Sequence, residues 1–111
     1  MDALDLTQAE RQALQMLQQE ITSHWPGARL TIFGSRILKT ADAESDLDLL
    51  IELPQTVTTS IRRHIIHKVF ELNLYFCCNI SILLVSQDEW HNSALSITPI
   101  HATIASEGIP L

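Results

Sequence analysis

Basic residues are scarce in this chain: seven Lys and Arg stand against thirteen Asp and Glu, a formal net charge of −6. A surface that grips nucleic acid must neutralise a run of phosphates, so this deficit argues against a nucleic-acid partner. The only basic cluster, Arg62, Arg63 and Lys68, is adequately explained as the solvated side of a helix. Any apolar run of membrane-spanning length is also missing, and the opening Met1-Asp2-Ala3-Leu4-Asp5 is acidic where a secretory leader is basic. The expectation is a cytoplasmic protein that engages no membrane. Cysteine is limited to the adjacent Cys77 and Cys78, which cannot form an unstrained mutual disulfide and read as small core residues. Internal repeats, long linkers and low-complexity tracts are absent. What remains is 111 residues, 46% of them hydrophobic, enough for one core and too few for two ordinary domains. A single domain over 1–111 is expected.

Patterning gives an order of elements. Thr7-Gln8-Ala9-Glu10 is a capping-box sequence, and Leu14, Leu17 and Ile21 follow at helical spacing until Trp25-Pro26-Gly27 stops the helix. Leu30, Ile32 and Phe33 form a short apolar run ending at Gly34, and Leu47 to Leu53 form a second, which reads as two buried strands in a βαβ-like unit. Pro54 ends the second run. Ile61, Ile65, Val69 and Leu72 then predict an amphipathic helix ending near Leu74, and Ile80 to Val85 predict a third strand. Asp88-Glu89-Trp90 reads as a helical turn, and residues 97–106 as a terminal helix with Pro99 in its first turn.

The chemistry is concentrated between the first two strands. Gly34-Ser35 is followed, after ten residues, by Asp46-Leu47-Asp48. A Gly-Ser turn after a strand leaves backbone N–H groups free at the start of the next helix, where peptide dipoles favour phosphate oxygens, and Ser35 adds a hydroxyl. Residues two apart in a strand share a face with Cα atoms about 6.6 Å apart, so Asp46 and Asp48 can share divalent cations. Magnesium, a hard cation that prefers carboxylate and phosphate oxygens, suits them best, while Leu47 and Leu49 would point into the core.

Gly-Ser, a ten-residue gap and Asp-x-Asp resemble the signature of the minimal nucleotidyltransferases of the DNA polymerase β superfamily. Leu30 to Arg36 looks like the first strand and turn of that family, Ser45 to Leu50 like its second strand, and Glu107 to Leu111 like its usual ending. The resemblance covers nearly the whole chain and implies an α/β fold, a small mixed β-sheet flanked by helices. It implies ATP as nucleotide donor and Mg2+ as cofactor, with Gly34, Ser35 and Arg36 on the nucleotide and Asp46 and Asp48 as catalytic metal ligands. Arg36 either orients phosphate or solvates the first helical turn. Lys39 stands near a position where the family often carries glycine, and reads as an exposed side chain.

The chain departs from the family at the third carboxylate. Active members carry it on the next strand, and the matching position here is Ser81, with no Asp or Glu between Glu71 and Asp88. Two readings stay open. In one, the protein transfers AMP with Ser81, water or a partner's acid completing the metal shell; in the other, it is a degenerate nucleotide-binding or interaction module. Small members without an added substrate domain resemble antitoxins that act beside a HEPN-domain protein, which implies such a partner or a second copy of this chain. The histidines are weaker signals. His64 and His67 lie three apart, a metal-compatible spacing without an evident third ligand, so a solvated helix edge is favoured; His24, His91 and His101 are isolated in sequence.

Overall fold

The computed structural model describes residues 6–34, 46–92 and 94–111. Helix α1 (Gln8–His24) opens on the capping box: Glu10 N donates to Thr7 Oγ1 at 3.0 Å, and Thr7 N donates to Glu10 Oε1 at 2.9 Å. A turn through Gly27, at φ +97, delivers the chain into β1 (Arg29–Phe33). There follow β2 (Leu47–Leu53), α2 (Thr59–Phe76), β3 (Ile80–Ser86), the short α3 (Gln87–Asn92), a 3-10 turn (Ala94–Ile97), α4 (Pro99–Glu107) and β4 (Ile109–Pro110). Among the described residues no helix is long and apolar enough to cross a membrane.

The four strands form one mixed sheet in the order β3-β2-β1-β4, flanked by helices. Strands β1 and β2 pair antiparallel, with Phe33 opposite Asp48 and Arg29 opposite Glu52, so the unit carrying the motif is not βαβ-like. The parallel crossover is one step later, β2-α2-β3. Apolar runs carry burial but no direction, and the thirteen residues separating β1 from β2 are long enough for either pairing. Two-residue β4 was not foreseen, since Ile109-Pro110 is too short to show a period of two. It pairs with Thr31 and Ile32 of β1, and Leu111 N donates to Leu30 O at 2.9 Å.

Strand β2 is buried on both faces. Leu47, Leu49, Ile51 and Leu53 are fully enclosed with Leu17 and Ile21 of α1 and Ile65, Val69 and Leu72 of α2. On the opposite face Leu50 and Val85 pack with Trp90 of α3 and Ile104 of α4, flanked by Phe33 and Leu83. Each such side chain contributes roughly 1.5–3 kcal/mol of transfer free energy, so β2 is the most firmly held strand. Asp48 lies on the second face, since a strand alternates its side chains.

Helix α2 runs two residues past the predicted Leu74 and closes at Cys77, which adopts the left-handed conformation at φ 55, ψ 45. Cys77 is exposed there, which corrects its reading as a core residue: it lies just past the last helical turn. Cys78 is half-buried, and burial raises its thiol pKa. Asn73 joins this end of α2 to β3, since Ile80 N donates to its Oδ1 at 2.8 Å and its Nδ2 donates to Ile80 O at 3.1 Å.

Candidate functional site

Asp48 is the second residue of β2, flanked in register by Phe33 of β1 and Ser81 of β3. Neighbouring strands lie about 4.8 Å apart, which puts the Ser81 hydroxyl and the Asp48 carboxylate on one face as nearest cross-strand neighbours. Asp46 is exposed one residue before β2 begins, and its negative charge acts on Asp48.

The glycine bend meets the same carboxylate. Gly34 follows β1 at φ +91, and a Cβ placed on it would run into Asp48 Oδ2 and stand 3.1 Å from Asp48 Cγ. Only a residue without a side chain therefore lets the first strand turn directly over Asp48. Ser35 and Arg36, together with Lys39, fall outside the described residues.

Asp48 is half-buried, and its pKa lies above the usual aspartate value, chiefly because burial disfavours the ionised form and secondarily because of Asp46. Among the described residues no basic side chain contributes to this shift. Two neighbouring carboxylates, one of them partly desolvated, with a hydroxyl beside them, make an oxygen-only donor set suited to a hard divalent cation. The residues present therefore fit magnesium, which Asp46 and Asp48 would hold through charged oxygens and Ser81 through a neutral one.

Glu52 is a buried carboxylate that the sequence did not single out. It is 6% exposed, on the same face as Asp48, and its Oε1 lies 3.2 Å from His91 Nε2. It stands four positions along the strand from Asp48, about 13 Å, so it does not replace the missing third carboxylate. Beside it, His101 stacks on Trp90 with ring centroids 4.4 Å apart, and its Nε2 is buried without a hydrogen-bond partner among the described residues. The isolated histidines thus acquire neighbours only through the fold. His24 does so as well, meeting Glu20 and His64, while His67 turns to Glu71 at 4.0 Å.

A mixed sheet with paired aspartates at a strand start, set against a glycine bend, is the constellation of the nucleotidyl-transferring class of α/β domains. The family model of the nucleotidyltransferase domain matches residues 14–97 of the 111, a span that contains Gly34, Asp46, Asp48 and Ser81. The chain belongs to this family, whose general chemistry is nucleotidyl transfer. No curated protein matches it.

Proposed function

We propose that the protein transfers AMP from ATP to a hydroxyl group on a protein partner, in an antitoxin-like role beside a HEPN-domain protein in the cytoplasm. The observation that carries this reading is the convergence of Gly34 on Asp48, which brings the phosphate-turn end of β1 against the aspartates at the start of β2. Asp46 and Asp48 would hold the magnesium that accompanies the triphosphate. Gly34, with Ser35 and Arg36, receives the phosphate oxygens. The acceptor hydroxyl gives up its proton to water as its oxygen bonds to the α-phosphorus, the bond from that phosphorus to the oxygen bridging to the β-phosphate breaks, and pyrophosphate leaves. Magnesium, when bound, offsets charge on the phosphates and lowers the acceptor hydroxyl's pKa. A protein partner suits the exposed apolar row Ile66, Phe70 and Leu74 on α2, since such rows mark contact surfaces.

Ser81 favours a second reading, a degenerate nucleotide-binding antitoxin on the same fold. A neutral hydroxyl in register with Asp48 supplies less charge than a carboxylate, which costs roughly several kcal/mol of transition-state stabilisation. Labelling with ATP carrying α-32P, in the presence of magnesium and the partner, separates the two. Transfer by wild type, lost in the Asp46→Ala/Asp48→Ala double variant and increased in Ser81→Asp, supports the enzyme. A silent wild type with transfer restored by Ser81→Asp supports the degenerate reading. Failure of every variant and of wild type to bind MgATP overturns both.

A further inference from the structure

On the face of the sheet opposite Asp48, the end of α1 meets the start of α2 through three side chains distant in sequence. Glu20 and His24 are four apart on α1 and so share a face. His64 of α2 faces them: Glu20 Oε2 lies 3.0 Å from His64 Nε2 and 3.5 Å from His24 Nδ1, and the two imidazole rings are 5.1 Å apart. One oxygen and two ring nitrogens thereby lie within 4.8 Å of one another.

These separations have a chemical meaning. A tetrahedral metal with bonds of about 2.0–2.1 Å holds its ligand atoms about 3.3 Å apart, close to both carboxylate-to-imidazole distances here. Closing the remaining nitrogen-to-nitrogen gap requires only rotation of half-exposed side chains. Two imidazoles and one carboxylate leave a fourth position for water, the donor set of zinc and its neighbours; magnesium and calcium prefer all-oxygen shells. His24 Nδ1 now lies 3.0 Å from Glu20 O, to which it can only donate, so ligation through that nitrogen exchanges this hydrogen bond for the metal and moves the ring proton to Nε2. Trp25 flanks the cluster, its ring 5.4 Å from His24 and 5.9 Å from His64.

We infer that Glu20, His24 and His64 form a zinc-class site that fastens α1 to α2, distinct from the aspartate site and independent of the nucleotidyl-transfer reading. The two helices cover the core around β2, so metal bound between them favours the folded state. The test is thermal unfolding of the full chain, freed of metal by a chelator, in zinc, magnesium or calcium. Zinc should raise the melting temperature and the other two should not. His24→Ala, His64→Ala and Glu20→Ala should each weaken zinc affinity at least tenfold, while Asp46→Ala/Asp48→Ala leaves it unchanged. Cobalt should give the visible absorption of a tetrahedral complex and quench Trp25, with the quenching lost in Trp25→Phe and the absorption kept. Zinc binding that survives loss of both histidines, or that disappears with the two aspartates, overturns the inference, as does the absence of any zinc-induced shift.

Discussion

At the residue scale, Asp48 joins stability to binding with opposite signs. Its folded-state pKa is raised, so the native protein holds that proton more tightly than the unfolded chain does. The penalty for ionising it is absent below the ordinary aspartate value of 3.8, grows as pH rises, and is complete above the raised native value. Asp48→Asn removes this penalty. The metal-free variant should melt above wild type at neutral pH, with the gap narrowing as pH falls through the raised value, as followed by circular dichroism in chelator. If Asp48 holds the metal as proposed, addition of MgATP should reverse the order, because only wild type keeps that carboxylate. Gly34→Ala works through shape alone: a left-handed backbone and a collision with Asp48 should cost about 1–3 kcal/mol in urea unfolding. Calorimetry should show MgATP affinity at least tenfold weaker in that variant, since the displaced group is the carboxylate itself.

At the scale of elements, the position of Ser81 depends on how β3 is pinned to its neighbours. Asn73 acts as a substitute backbone, exchanging two hydrogen bonds with Ile80, the residue before Ser81. Asn73→Ala leaves both Ile80 groups unmatched and should cost about 1–3 kcal/mol in chemical denaturation, with faster amide exchange at the start of β3. The helices and central strands were legible in the sequence because their periods are long: Leu14, Leu17 and Ile21 on α1, and Ile65, Val69 and Leu72 on α2, occupy the predicted faces. Strand direction was not, since Leu30 and Ile32 look the same whichever way they pair with β2. The motif spacing marked Gly34, Asp46 and Asp48, but the contact between Gly34 and Asp48 needed the antiparallel register. Glu20, His24 and His64 were illegible as a group, because helix α1 and helix α2 meet only in the folded chain.

At the scale of the whole molecule, the sheet's two faces divide the labour. One is covered by α1 and α2 and holds the larger core; the other carries Asp48 and the smaller cluster around Trp90. Among the described residues the outward side of α2 has no such cover, with Phe70 60% exposed in line with Ile66 and Leu74. Phe70→Glu should alter stability by under about 0.5 kcal/mol, the usual range for exposed positions. If the proposed partner docks there, the variant should label it at least tenfold less while binding MgATP normally; unchanged labelling would place docking elsewhere.

The narrow attachment of β4 exposes the molecule to a different hazard. Its two residues and the Leu111 amide are the outer partners of β1. Deleting residues 109–111 would bare N–H and C=O groups along that margin, a template for strand exchange or clumping with sister chains. Size-exclusion chromatography of that variant should show oligomers growing with concentration, the outcome expected if residues 109–111 guard against self-adhesion.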